Sequence, residues 1–585
     1  MGYHVIFGYL SLALSIYTAF VLYRRSRATI CTSSAVFLAI LCSTALLTWA
    51  VALASAVASS KFSTQGVFFA QLVSTTALLG WIYKPSYVMH GEPHKKLLST
   101  ENIRYGCAAA LVSYCATFPH FLPAWGNVDF AQHVAMVDSL KHTLLDLPAH
   151  SISFGDWQKS YPYQFGFHFL NAFFSILLPF DTLTVMHASI AIIYGLLILA
   201  VLELSECKNR TLKLTLVCAS FFISPFHAFI RLGWAPHFFA TAISLFAFAL
   251  FKFSAQFREH DTKLHFFTMI SMLWLSSAAY PFCGLAAGMG LCWYHLQATT
   301  FSVQRAASLA GLCFVVLLPL MLQPILMDTL TVAFSKIFRS GNGEYYHALR
   351  VGSSEALVSP MQWAVFGILL LYSVATYKTA RSTAFIAYIL LLIVFSLLLG
   401  SGAYIVDKVL HTTWPIVIAT LAHLAESACN LVKLKPKLKV LAYILPAVLC
   451  YGVFTYFFKL DHKFFAEKRE PFLTREELAA VRLVQHSKSE YRILILGFSG
   501  SKEFLIRHML QDGVWHGPFH RENYHISGAC ENACAEKEIQ KFHIYSGKKV
   551  ILAGASSFDI EGNLKLGKLR VLRKFKDFVL LEPAG

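Results

Sequence analysis

The chain has 585 residues, of which 15% are aromatic and only 14% are charged, with a mean hydropathy of +0.56. Soluble domains carry about 25% charged residues, so this balance excludes a soluble globular fold and predicts a polytopic membrane protein. The formal net charge of +17 would suggest nucleic acid in a soluble protein, but in a membrane chain it reflects basic residues flanking the spans, and no nucleic-acid partner is expected.

Apolar runs of roughly 17–22 residues are long enough to cross about 30 Å of hydrocarbon. The first four fall near 4–23, 34–58, 66–83 and 105–121. The opening run, MGYHVIFGYLSLALSIYTAFVLYRRSR, carries its charges after the apolar stretch. That is the pattern of a retained anchor with its start outside, not of a secretory leader.

A polar region follows the fourth run. It begins with GNVDFAQHVAMVDSLKHTLLD, Gly126 to Asp146. On a helix, Asp129 and His133 share a face with Val137, Leu140 and Leu144. Asp138, His142 and Asp146 fall on the other side, which predicts a solvated face. An acid against apolar surface beside a histidine suits a base with a tunable pKa. The competing reading makes Asp129 an N-cap with Gln132 at the third helical position. The two roles are compatible.

Next comes YPYQFGFHFLNAFF, from Tyr161. Pro162 suits a helix start, and His168 follows inside an aromatic segment. Residues 164–180 are apolar but short, and His168 and Asn171 interrupt them.

Ten further apolar runs lie near 184–203, 212–229, 236–253, 264–279, 283–298, 307–327, 361–377, 383–400, 412–432 and 440–458. Charge then decides the topology. If 164–180 does not cross, the inner loops after it receive Lys208, Arg210, Lys213, Lys252, Arg258, Lys263, Arg305, Lys378, Arg381 and the lysines of 433–439. The outer loops there keep Arg231, Lys336, Arg339, Arg350 and Lys408. A crossing at 164–180 would invert this bias against the positive-inside rule. The expectation is about fourteen spans, with both termini and all of 122–183 outside.

The outer mouths of the later spans carry polar groups. RLGWAPHFF places Arg231 in a short loop with Gly233, Pro236 and His237. Its guanidinium suits a lipid phosphate, and an ordinary snorkelling arginine is the plain alternative. YPF at Tyr280, HTTWP at His411, and Arg339, His347 and Arg350 in loop 328–360 join them. Within the spans, Glu426 is the main candidate for a deep ionisable group.

After about 460 the chain becomes polar. KREPFLTREELAAVRLVQHSKS reads as an amphipathic helix capped by Thr474, with Glu477 three residues on. YRILILGF, KKVILAG and FKDFVLL read as strands. GFSGSKEF lacks the residues of a phosphate loop or a nucleophile elbow and reads as a strand-to-helix turn. Of the thirteen cysteines, only Cys530 and Cys534 lie in a polar segment, and their spacing supports no zinc site.

These features together resemble the GT-C superfamily of integral membrane glycosyltransferases, which use polyprenyl-phosphate-linked sugars. The resemblance rests on Asp129 with His133, then Tyr161, Pro162 and His168, then Gly233, Pro236 and His237. It implies an all-α polytopic membrane protein with a small C-terminal α/β domain outside the membrane. Four regions follow: N-terminal helices at 1–121, a large outer loop at 122–183, a helical bundle at 184–460 and a tail domain at 461–585. The implied partners are a polyprenyl-phosphate-linked sugar donor, a glycan, lipid or protein acceptor, and membrane lipids. The implied location is a bacterial cytoplasmic membrane. Asp129 would be the base and His133 its orienting partner, with Tyr161, His168, Arg231, His237, Arg339, Arg350 and His411 around the donor phosphate. No metal ligand is assigned, since the acidic pair of some subfamilies is absent, and a divalent cation stays open. Three spans precede the loop-bearing one, where the simplest family pattern has none.

Two other readings compete. A transporter or flippase for a lipid-linked glycan or small anion requires ionisable groups near the bilayer midplane. A membrane scaffold would use the tail to bind a partner.

Overall fold

The computed structural model describes residues 2–25, 32–57, 63–82, 98–117, 128–145, 165–222, 235–251, 262–298, 491–496, 548–554, 560–574 and 578–584, with single positions between 412 and 444 and between 479 and 483. Eleven long helices head the described chain: α1 (Gly2–Arg25), α2 (Thr32–Val57), α3 (Thr64–Ile82), α4 (Thr100–Thr117), α5 (Val128–Leu144), α6 (Gly166–Leu177), α7 (Thr182–Ser205), α8 (Arg210–Phe222), α9 (Ala235–Phe251), α10 (Thr262–Ala279) and α11 (Pro281–Ala298). Each of the nine expected spans from 4–23 to 283–298 corresponds to one of them. The expected spans at 307–327, 361–377 and 383–400, and the loop 328–360, lie outside the described residues.

Helices form here because a backbone in hydrocarbon must satisfy its own hydrogen bonds. Tyr3–Tyr23, Ala35–Ala54 and Thr182–Ser205 are long and apolar enough to cross a membrane. The chain is thus a helical membrane protein. α7 is buried along almost its whole length, packed on α4 and α9. Where α4 crosses α7, Gly106 and Gly195 meet. A Cβ on Gly195 would stand 2.5 Å from the Gly106 carbonyl oxygen. Small residues allow such close approach between membrane helices, where dispersion and not the hydrophobic effect holds helices together.

α1, α2 and α3 pack together, and polar pairs join them: His4 Nδ1 to Thr64 Oγ1 at 3.0 Å and Thr18 to Thr75 at 3.1 Å. α2 also packs on α10, where Trp274 donates to Thr48 Oγ1 at 2.9 Å and stands edge-on to Trp49.

α6 is the short apolar helix within 164–180. Its 12 residues reach only about 18 Å. Yet it is buried nearly all round, and the two polar residues that interrupt it are both engaged. Asn171 donates to Phe167 O at 2.8 Å and accepts from Ser189 of α7 at 2.6 Å. Gly166 is needed at the entry, because a Cβ there would lie 2.8 Å from the Ala278 backbone.

Near the C-terminus, four strands form one sheet in the order β1-β2-β4-β3: β1 (Tyr491–Leu496), β2 (Lys548–Gly554), β3 (Leu569–Lys574) and β4 (Phe578–Pro583), with the short helix α12 (Ile560–Lys565) before β3. β1 and β2 are parallel, and β4 is antiparallel to both β2 and β3. β1 and β2 fall on the predicted strands, and β4 starts three residues later than predicted. β3 was not expected. Its sequence, LRVLRK, is largely exposed and strongly charged, so it lacks the buried alternation that marks a strand.

Candidate functional site

The site lies where α5, α6, α9 and α10 bring their ends together. α5 lies chiefly against α6 and also touches α7. His133 and His168 meet between α5 and α6, with Nδ1 of His133 2.9 Å from Nε2 of His168 and both rings buried. One nitrogen must donate and the other accept. Protonating both would set N–H against N–H, so the intact contact holds at most one positive charge. Phe167 stands edge-on to both imidazoles and touches Phe239 of α9. His168 is fully enclosed by protein.

Phe239 is two residues past His237 in the first turn of α9. His237 Nε2 lies 2.6 Å from Thr412 Oγ1, and its ring stacks on Tyr280 at 4.7 Å. Tyr280 ends α10 at a tight reversal into α11, where a Cβ on Gly284 would overlap Ser277. Three of the predicted site residues, His133, His168 and His237, thus gather at one end of the bundle with the YPF turn. Asp129 sits on the first turn of α5, one turn before His133. Tyr161, Arg231, Arg339, Arg350 and His411 lie outside the described residues, and Thr412 bonds His237.

One expectation is overturned. Asp138 is not solvated: it is 7% exposed and accepts a hydrogen bond from the Thr182 hydroxyl. Burial pushes its carboxyl up to about 6, the Thr182 bond and Lys141 oppose that, and Asp181 adds to it. Helical periodicity separates the two faces of α5 but cannot reveal that the start of α7 meets Asp138. Thr182 was also missed, although Asp181 is recognisable as the N-cap of α7, accepting from Thr184 N at 2.8 Å.

Glu426 is displaced from its expected role as well. It accepts from Asn209 N at 3.0 Å and from the Cys207 thiol at 3.2 Å, in the turn joining α7 to α8. Among the described residues, no group of three histidine, cysteine or acidic side chains could hold a metal ion.

The geometry so far is that of a helical membrane protein with a buried, proton-sharing histidine pair at one end of its bundle. No family model matches the chain, and no curated protein matches it. Among solved structures it is similar to ArnT from Cupriavidus metallidurans bound to undecaprenyl phosphate, with a TM-score of 0.47 and 10% identity over 83% of this chain and 98% of that one. It is similar also to the apo state of that ArnT, with a TM-score of 0.45 and 10% identity over 82% and 98% of the two chains.

Proposed function

We propose that this protein is a membrane glycosyltransferase that moves a sugar from a polyprenyl-phosphate donor to an acceptor hydroxyl at the outer face of a bacterial cytoplasmic membrane. The observation that carries the reading is the buried His133–His168 contact, placed where the long polar loop helix meets the short aromatic helix. It stands one helical turn from Asp129 and at the same bundle end as His237 and Tyr280.

The acceptor oxygen attacks the anomeric carbon, and its proton passes to the Asp129 carboxylate. The bond from that carbon to the phosphate oxygen breaks, and polyprenyl phosphate departs with the electron pair. A phosphate is already a good leaving group, so the main requirements are a base and cations on the departing oxygen. His133, braced by His168, orients Asp129. Arg231, Arg339 and Arg350 hold the phosphate, with Tyr161, His237 and His411 completing its surroundings. A lipid donor reaches such a site sideways from the bilayer, which suits a place at the ends of the helices.

Transport is the second reading, and the placement of Glu426 counts against it. Among the described residues, the buried acid Glu203 lies in the last turn of α7 and Glu426 bonds the turn that follows it.

The test is reconstitution of the full chain with a polyprenyl-phosphate sugar and a glycan or lipid acceptor. Asp129→Asn is expected to lower transfer by about 10²–10⁴-fold while the donor still binds. Wild-type transfer by that variant would end the assignment of Asp129, and solute uptake without transfer would favour the transporter.

A further inference from the structure

Besides its contact with His168, α5 is attached to its surroundings through Asp138. Five residues separate His133 from Asp138, which is roughly 7.5 Å of rise and a rotation of about 140°. The two side chains therefore address different neighbours. His133 meets α6, and Asp138 meets Thr182 at the first residue of α7. α6 and α7 are joined by the short turn 178–181, so α5 is gripped on two sides by one corner. Val134, Val137, Leu140 and Leu144 fill the space between, all buried.

The attachment has an unusual chemistry. A buried carboxylate normally has several donors or a cation in direct contact. Asp138 has one neutral hydroxyl from α7, with Lys141 on its own helix acting at longer range and Asp181, the cap of α7, acting as a second anion. The protonated carboxyl is thus the better tenant of the site.

We propose that Asp138 is a positioning residue, which through Thr182 clamps α5 into the α6–α7 corner and so holds the His133 ring against His168. The clamp deepens the transferase reading and rests on it only for the catalytic consequence. Because burial raises the carboxyl, the clamp is tighter in mild acid than at neutral pH.

The experiment uses the full chain in lipid nanodiscs and follows hydrogen exchange of the α5 segment at about pH 8 and about pH 5. Asp138→Asn keeps an acceptor for Thr182 without the charge. It is expected to slow α5 exchange at the higher pH, with a smaller gain at the lower one. Thr182→Val leaves the carboxylate without its hydroxyl and is expected to speed exchange most at the higher pH, while Thr182→Ser restores it. In a transfer assay, Thr182→Val is expected to lower kcat with little change in KM, and Asp138→Asn to flatten the pH profile near 6. Unchanged exchange in both Asp138→Asn and Thr182→Val overturns the clamp, whatever the transfer assay gives. The expected exchange pattern without transfer by the wild-type chain would support the clamp and sink the transferase reading.

Discussion

α7 runs for 24 residues between two clusters of buried polar groups, roughly 35 Å apart along its axis. At its last turns, Glu203 accepts from the Ser99 backbone N–H at 2.9 Å and from the Asn102 amide at 3.0 Å, tying down the start of α4. Close by, Glu426 accepts from the Asn209 backbone, and Glu101 pairs with Lys213 at 3.0 Å and Arg210 at 3.2 Å. At the first residue of α7, by contrast, Asp138 receives a neutral hydroxyl, and nearby two histidines share a proton position. Backbone N–H groups and cations favour ionised carboxylates; a lone hydroxyl in a dry site does not. One end therefore ties helices together through several donors, and the other holds the Asp138 carboxyl, raised by burial to about 6. Shifted groups of that kind concentrate at functional sites.

The sharpest way to break this contrast is to remove chemistry from each end in turn. Asp129→Asn is expected to lower kcat by about 10²–10⁴-fold, whereas Glu203→Gln should leave kcat near wild type; steady-state transfer assays decide. The next largest effect is on stability. Glu203→Leu removes the acceptor of the Ser99 backbone N–H and of the buried Asn102 amide and should cost roughly 2–5 kcal/mol in denaturation of the reconstituted protein.

The pH dependence should then separate the ends by sign. Asp138 rises from 3.8 to about 6 on folding, so the folded state binds more protons and stability falls as pH rises between those values. Two units correspond to roughly 3 kcal/mol. Glu101, outside the predicted span at 105–121, moves the other way, since its bond to Lys213 holds its carboxyl below the ordinary value. Its contribution is present above the unfolded pKa and disappears as pH falls. Melting curves of Asp138→Asn and Glu101→Gln across acid pH should therefore diverge from wild type in opposite directions.

Between the two ends, Gly195→Ala drives a methyl into the Gly106 carbonyl and should cost about 1–3 kcal/mol in the same denaturation assay. The smallest effect belongs to Lys213→Met. Glu101 is partly exposed, and such pairs contribute only about 0.2–1 kcal/mol.

Much of this was legible in the chain itself. Nine apolar runs became helices within a few residues of their expected bounds, because run length and a lack of charge decide what hydrocarbon accepts. For 164–180, the distribution of Lys and Arg and the short, interrupted run argued against a crossing, and the helix there has 12 residues. β3 stayed hidden because an exposed, charged strand gives no apolar alternation, and its pairing with β4 is a long-range choice.

For the site, the residue types and helical phase of α5 pointed to His133, and the Tyr-Pro segment pointed to His168. What no local pattern contained was that the two rings face each other. Nor did the sequence disclose that Thr182 covers Asp138, or that Glu426 serves the turn after α7. The 3.6-residue period determines which side chains share a face of a helix. Only the packing of α5 into the α6–α7 corner decides what each face meets, and burial by that partner is what turned an apparently solvated Asp138 into a carboxyl poised near neutrality.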